Sequence, residues 1–558
     1  MTILQRWHAR WPWRPLSQEM LVLGVAALIT LLGNGAFWQG ALAGRSFAEA
    51  NTWRFVLGAG VMITAVQGLL LLLLAHRHTV RPVLALALVS TAVGGHMMAR
   101  YGVVLDPSML RNAMRTDVRE ATELFNPGLL LSIVGALVAS ALLWVVPLRV
   151  RPWRRAALVR GLTMLGTLVV AVAALLLIFQ DFGSLMRNHK ALRYTLTPVN
   201  VFYSTTSVVV TDMRAAARKP EPPQPVERLA QAPGRKPAVF VVVLGETARA
   251  ANFGLGGYSR DTTPELRRQT DAVYFPQTMA CGTSTEVSVP CMFSAFGRAD
   301  YDEDRIRASE SVLTLMARAG LRVVWLDNQS GCKGVCQGTD TRDVSHEKDP
   351  TLCDGERCFD EILVKGLERV LAEPDPQQRD TVVVLHQLGN HGPAYYRRYP
   401  AAFRRFTPEC QRNELRECSQ AEIVNAYDNA LLYTDWVVNQ TIEVLKRQRP
   451  QREVGLVYVS DHGESLGEGG LYLHGMPQAI APDVQLHVPM LWWFGRDESN
   501  GRSDMGVDGA CLRQRASAPA SHDHLFHTLL RLMAVDTPRY QAGRDLLSAC
   551  RDGTAPAK

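Results

Sequence analysis

No cysteine occurs before residue 281 of this 558-residue chain. Ionisable side chains are almost missing from five apolar stretches in its first 180 residues, His96 being the main exception. Intramembrane charge marks transport pathways, so its scarcity argues against a transporter. No small-residue cleavage pattern follows the first apolar stretch, and none of the usual signs of a removed signal peptide is expected. No internal repeat occurs. The cysteines have no His or Cys partners at zinc-finger spacing, even around Cys332-Lys-Gly-Val-Cys336. The net charge of +7 is concentrated in loops between apolar stretches and therefore gives no reason to expect a nucleic-acid partner.

The five stretches are Leu21–Ala43, Phe55–Ala75, Pro82–Ala99, Gly128–Val146 and Gly161–Phe179. Each is close to or above the ~18–20 residues a helix needs to cross hydrocarbon. Arg6, Arg10 and Arg14 precede the first. Arg77 and Arg81 follow the second, and Arg149, Arg151, Arg154, Arg155 and Arg160 follow the fourth. The other two loops mix in acids: Glu49, Asp106, Asp117, Glu120 and Glu123. Basic loops stay in the cytoplasm, so five spans put everything after about residue 180 on the outer side. The expectation is a multi-pass inner-membrane protein with a periplasmic C-terminal domain.

The ten cysteines agree with that topology. Cys281, Cys291, Cys332, Cys336, Cys353, Cys358, Cys410, Cys418, Cys511 and Cys550 all fall in the predicted outer part. An even set in an oxidising compartment reads as disulfides. Sequence proximity suggests 281/291, 332/336, 353/358 and 410/418, which leaves 511/550.

Three domains are expected: a transmembrane domain over 1–180, a connector or interfacial segment over 181–236, and a catalytic domain over 237–558. The connector's end, Lys219 to Pro237, is proline-rich and should be extended. Beyond it, apolar β-branched runs (Val239–Leu244, Leu321–Leu326, Thr381–Leu385, Val454–Val459, Val488–Phe494) alternate with helical patterns (Ser311–Ala319, Glu361–Ala372, Ala421–Arg447). That alternation predicts an α/β domain whose mainly parallel sheet is covered by helices on both faces. Ligands of such folds bind beyond the carboxyl ends of the strands. There the sequence places Gly245-Glu246-Thr247, Asp327-Asn328, His386, Asn390-His391-Gly392 and Ser460-Asp461-His462-Gly463-Glu464.

Glu246, Asp461 and His462 form an oxygen/nitrogen ligand set suited to Zn²⁺, with Mn²⁺ the weaker fit. Cys281-Gly-Thr-Ser-Thr-Glu-Val-Ser-Val-Pro-Cys291 supplies hydroxyls before an apolar run, Val287 to Phe296, that can open a helix. A helix N-terminus suits a phosphoryl group, and a metal-activated hydroxyl is a competent nucleophile. Thr285 is the candidate, though spacing alone does not separate it from Thr283. His391 and His474 could hold phosphoryl oxygens, protonate a leaving group or bind a second metal.

These motifs, with Gly245-Glu-Thr-Ala-Arg249, Asn328-Gln-Ser-Gly-Cys-Lys-Gly334, His391-Gly-Pro393, Ser460-Asp-His-Gly-Glu-Ser465 and His474-Gly-Met476, resemble those of the phosphoethanolamine transferases that modify lipid A, a family that includes the mobile colistin-resistance enzymes. The resemblance spans nearly the whole chain. It implies an alkaline-phosphatase/sulfatase-like domain, with Thr285 as nucleophile and Glu246, Asp461, His462 and Thr285 around one tightly held zinc, a second ion joining during turnover. Lys333, His391 and His474 would contact the substrate. Asn112, Thr116 and Glu120, at i, i+4, i+8 on one helical face, resemble the family's lipid head-group motif. The implied donor is phosphatidylethanolamine and the implied acceptor lipid A of lipopolysaccharide, handled by a monomer among membrane lipids, with polymyxin resistance as the outcome. Transfer of glycerol phosphate, or an acceptor in the lipopolysaccharide core, a glycan or a protein, is the alternative. A sulfatase would need Cys/Ser-x-Pro-x-Arg at the nucleophile, which the chain lacks. Glu286, where the family pattern has a small residue, and Ala113, where it has valine, are the departures.

Overall fold

The computed structural model describes residues 15–115, 118–217, 221–231, 233–496 and 503–551. Arg6, Arg10, Arg14, Thr116, Asp117 and Lys219 lie outside them, as does the side chain of Glu120. Internal contacts group the chain into two units. One holds Met1–Met114 and Phe125–Val210, the other Arg115–Leu124 and Thr211–Lys558.

The first unit contains four long apolar helices, Ala50–Leu74, Val80–Tyr101, Pro127–Val145 and Trp153–Asn188. Gln18–Gly33 and Gly35–Ala41 make a fifth span if counted as one piece, bent by 60°. The bend has a local cause. Ile29–Gly33 winds as a π-turn and Asn34 leaves the helical region at φ −109°, ψ 38°. Gly33 packs so tightly on Thr91 that a Cβ would lie 2.3 Å from the threonine methyl.

A broken helix inside lipid must find other partners for its backbone groups. Asn34 does much of this. Its amide donates to Ile29 O (3.0 Å) and Thr197 O (3.0 Å), and its Oδ1 accepts from Thr197 N (2.7 Å). Gln67 also donates to Thr197 O (2.9 Å), and Trp38 Nε1 caps Thr30 O (2.8 Å). After the last span the chain forms a helix, Val199–Ala217.

The second unit is built on an eight-stranded sheet, numbered here in chain order. The strands are β1 Ala238–Gly245, β2 Val273–Met279, β3 Arg322–Asp327, β4 Asp340–Asp343, β5 Thr381–His386, β6 Glu453–Ser460, β7 His487–Phe494 and β8 Ala520–Ser521. Their spatial order is β8-β2-β7-β6-β1-β5-β3-β4. All neighbours are parallel except β7, which runs against both β2 and β6. The sheet is therefore mixed, with one reversed strand in a mainly parallel array. Alternate residues of β1 enter different cores, Val239, Val241 and Val243 on one face and Phe240, Val242 and Leu244 on the other. Two buried faces explain its unbroken apolar sequence. The long helix Gln420–Gln448 opens with a capping box, Ser419 and Glu422. It covers the first face with Glu361–Ala372, while Val312–Arg318 and Leu525–Leu532 cover the second. Gly245 pairs with Ser460 and Leu244 with His386, so β1, β5 and β6 end side by side.

The structure pairs Cys281–Cys291, Cys332–Cys336, Cys353–Cys358, Cys410–Cys418 and Cys511–Cys550.

Candidate active site

Because Gly245 and Ser460 are cross-strand partners, the residues that follow them, Glu246 and Asp461-His462, meet at one point. One ligand atom from each of Glu246, Asp461 and His462 lies within 4.8 Å of the others, and all three residues are buried. The helix expected after residue 286 begins earlier, at Thr285 itself (Thr285–Met292). Thr285 Oγ1 lies 3.2 Å from Glu246 Oε2 and 3.3 Å from His462 Nε2. The other candidate is spent elsewhere. Thr283 Oγ1 donates to Met476 O at 2.7 Å, while Thr283 O accepts from Gly475 N at 2.8 Å. Of the two threonines, Thr285 is the one whose hydroxyl faces the cluster.

The donor set fits a divalent cation. His462 Nδ1–H donates to Gly463 O (2.9 Å), which in the neutral ring turns the Nε2 lone pair toward the carboxylates. Asp461 Oδ1 accepts from His462 N (2.7 Å) and Thr247 N (3.2 Å), but Asp461 Oδ2 has no hydrogen-bond partner. Two buried carboxylates and a lone pair around one point are mutually repulsive unless a positive charge joins them. Ionisation behaves accordingly. Burial and then the Glu246 charge push Asp461 up. Burial works to lower His462, but Asp461 and Glu246 together drive it upward, so protein alone recruits a proton to the point where a metal ion would sit. Burial also opposes ionisation of Glu246, yet the His462 hydrogen bond and charge hold it down, at about 2.

The other expected residues stand around this cluster. His474 stacks 4.3 Å from His462 by ring centroid, and His391 lies 5.4 Å beyond His474. His474 Nδ1 is fixed by Glu464 Oε2 (2.9 Å), whose other oxygen accepts from Tyr395 OH (3.0 Å). His391 arrives on a loop that presses on the cluster. Asn390 N donates to Glu246 O (3.0 Å), and Gly389, at φ +52°, leaves no room for a Cβ, which would come 2.7 Å from that carbonyl. Lys333 does not touch the carboxylates. Its ammonium is held by Ser330 O and Oγ (3.0 and 2.6 Å), in the loop where Gln329 Nε2 reaches Glu246 Oε2 (3.2 Å). Asn112 lies in the helix Pro107–Arg115, and Val118–Glu123 is also helical. With Thr116 outside the described residues, the single-face arrangement stays an expectation from spacing.

Several partnerships escape the sequence. Glu286, the acid beside Thr285, is buried and paired with Arg307 Nη2 (2.6 Å) and with Arg115. Arg307 also binds Glu303 (3.0 Å). Glu123 is buried between Arg357 and Arg398, and Arg398 Nε donates to His391 O (2.6 Å). Thus the stretch Arg115–Leu124 is tied at one end beside Thr285 and at the other beside His391. His522 supports the cluster from behind. Its Nδ1 accepts from Cys281 N (3.1 Å), and its Nε2–H donates to Ser460 O (2.9 Å). No local motif signals the arginines of Glu286 and Glu123 or the contacts of His522, which lie 21 or more residues away. The pair Asp327–His386 (2.6 Å) stays outside the cluster, buried under Trp325.

A hydroxyl on a helix N-terminus, facing a carboxylate/imidazole set that could hold a metal ion at the strand ends of such a sheet, matches an enzyme of the alkaline-phosphatase/sulfatase class, carried here by a chain with several membrane-length helices. The sulfatase family profile matches residues 238–535, and the profile described as phosphoethanolamine transferase EptA/EptB matches residues 63–213. The chain is 40% identical to phosphoethanolamine transferase EptA of Salmonella typhimurium over 471 residues, covering 82% of this chain and 84% of that one. It is 35% identical to phosphatidylethanolamine transferase Mcr-1 of Escherichia coli over 540 residues, covering 94% and 96%. Its structure matches the integral membrane lipooligosaccharide phosphoethanolamine transferase A of Neisseria meningitidis with a TM-score of 0.90 at 36% identity, over 96% of this chain and 100% of that one. The chain belongs to the EptA phosphoethanolamine transferase family.

Proposed function

We propose that the protein is an inner-membrane enzyme that moves phosphoethanolamine from phosphatidylethanolamine to a lipid A phosphate, on the periplasmic side, through a covalent phosphothreonine. The observation that carries this reading is the Thr285 hydroxyl, 3.2 Å from Glu246 and 3.3 Å from His462, beside an Asp461 oxygen with no hydrogen-bond partner. Glu246, Asp461, His462 and Thr285 would hold one zinc ion. Its chemistry there is to lower the proton affinity of the threonine hydroxyl and to offset charge on the phosphoryl oxygens.

The Thr285 hydroxyl releases its proton to His474 as Oγ attacks the donor phosphorus, and the bond from phosphorus to the glycerol oxygen breaks. Diacylglycerol leaves once that oxygen takes a proton, for which His474, oriented by Glu464, is placed beside the cluster. His391 and Lys333 hold the phosphoryl group and its ethanolamine ester. A lipid A phosphate oxygen then gives up its proton and attacks the phosphothreonine, the Oγ–P bond breaks, and that proton ends on Thr285 Oγ, restoring the hydroxyl. The ammonium so added reduces the outer surface's negative charge and weakens its attraction for cationic peptides such as polymyxins. The relatives' names support the reading, since Mcr-1 is called a phosphatidylethanolamine transferase and another relative, of Escherichia coli, a Kdo(2)-lipid A phosphoethanolamine transferase.

Mass spectrometry of the 281–291 peptide after incubation with phosphatidylethanolamine is expected to find one phosphoethanolamine on Thr285. In Thr285→Ala the adduct is absent and transfer falls more than about a thousandfold. An adduct that persists in Thr285→Ala, or none in the active enzyme, would refute the covalent route.

A further inference from the structure

The membrane unit carries a second concentration of charge that takes no part in the chemistry. Where its basic loops meet the helix ends, a cavity of about 520 Å³ is lined by Arg77, Arg149, Arg151 and Arg160, with Glu19 as its one acid. Only part of this charge is compensated. Arg151 pairs with Glu19 at 2.8 Å. Arg160 is engaged by the Ala75 carbonyl and the His76 ring. The guanidiniums of Arg77 and Arg149 have no hydrogen-bond or ion-pair partner among the described residues, so the cavity holds three positive charges in excess of its single carboxylate.

Its other wall is apolar. Trp153, three-quarters exposed, and Val150 stand at the mouth, and Gly161 and Met164 continue it along the last span. At Gly161 nothing lies within 4 Å of where a Cβ would be, so the wall stays open to a chain running alongside the helix. Charge alone at this end of the spans would be accounted for by membrane orientation, which needs neither a cavity nor an apolar wall.

A cationic ceiling above an apolar wall at the bilayer boundary matches an amphiphile whose polar end is an anion. Guanidiniums bind phosphate oxygens in paired hydrogen bonds, basic pockets between membrane helices take anionic head groups, and tryptophan settles at the head-group level. The volume is within the range of small-ligand sites. We propose that this cavity binds the phosphodiester head group of an anionic phospholipid, its acyl chain lying against Trp153, Gly161 and Met164. The site is separate from the transfer reaction and uses none of its residues.

The test uses the full chain in detergent, titrated with phosphatidylglycerol, phosphatidylcholine or inorganic phosphate while thermal unfolding is followed. Phosphatidylglycerol is expected to raise Tm, and phosphatidylcholine and phosphate to leave it unchanged. The double variant R77Q/R149Q should keep its lipid-free Tm and bind phosphatidylglycerol about 10- to 30-fold more weakly, while R77K/R149K retains most of the response. An equal response to phosphatidylcholine, an equal response in R77Q/R149Q, or a shift of the same size with phosphate alone would overturn the lipid assignment. Should R77Q/R149Q fail to fold, native mass spectrometry of the wild type decides. Selective retention of phosphatidylglycerol over phosphatidylcholine supports the site, and equal retention refutes it.

Discussion

Two acidic settings flank Thr285, and they are solved in opposite ways. On one side Glu246 and Asp461 face each other with only His462 between them, and Asp461 Oδ2 has no hydrogen-bond partner. On the other side Glu286 is equally buried but is already neutralised by Arg307 and Arg115. Burial therefore does not by itself identify a metal ligand. What distinguishes the two is compensation. An acid pair left short of positive charge calls for a cation from solution, whereas an acid supplied with guanidiniums is part of the framework.

The strongest break of this comparison is on the uncompensated side. Glu246→Gln should weaken zinc binding at least about a hundredfold, measured by competition with a chromogenic chelator. In the metal-free protein the same change removes a carboxylate that the His462 hydrogen bond and charge hold ionised, against the cost of burial, so the variant should unfold at a lower temperature than metal-stripped wild type. A higher temperature would mean that repulsion between Glu246 and Asp461 outweighs their pairing with His462.

A smaller effect, of opposite character, is expected from Glu286→Ala. It leaves Arg307 mostly buried and short of a partner and should cost about 2 kcal/mol in unfolding experiments, with zinc affinity unchanged. If zinc affinity fell with it, Glu286 would belong to the metal site after all. Glu286→Leu combined with Arg307→Met removes both charges together and should recover most of the loss.

The smallest concerns pH and the strut behind the cluster. Burial lowers the His522 imidazole from its usual 6.5 to about 4. The folded state thus binds this proton more weakly than the unfolded chain. The contribution is fully present above the unfolded value and is lost as pH falls between about 6.5 and 4. From pH 7 to pH 6 the loss is below about 1 kcal/mol. His522→Asn keeps an acceptor near Cys281 N but no titrating ring, and its unfolding free energy should change less over that interval. An identical slope in variant and wild type would remove His522 from this role.

What was legible in the sequence follows the range of the interactions. Strand ends that carry Glu246, Asp461, His462 and His391 could be placed because buried parallel strands are continuous apolar runs that stop where the chemistry begins. The direction of β7 could not, since an apolar run such as Val488–Phe494 reads the same in either sense. Strand β2 is absent from the expected elements because Val-Tyr-Phe-Pro-Gln-Thr-Met contains Pro276, a residue disfavoured inside strands, which sits where the β2–β7 register shifts. Helix Val199–Ala217 is not among the expected elements, since its first turns, Pro198 to Tyr203, mix apolar and polar residues and suggest only an interfacial segment. Spacing leaves Thr283 and Thr285 equal and only the family resemblance prefers Thr285, because what occupies Thr283 is a carbonyl 193 residues away. The neutralisation of Glu286 depends on partners 21 and 171 residues distant. Composition carries no information about such pairs.

The knot of hydrogen bonds at Asn34 bears on how the gene can be cut. Asn34 and Gln67 between them satisfy both the N–H and the carbonyl of Thr197, so the first two membrane segments share one set of bonds with the stretch that follows the last span, 163 residues beyond Asn34. Water cannot replace them within the bilayer. A shortened gene that starts after the first span would strip Thr197 of its chief partner. Co-expressing the missing N-terminal piece as a separate peptide is then the natural way to restore a broken membrane half, as a split protein reassembled through a single asparagine.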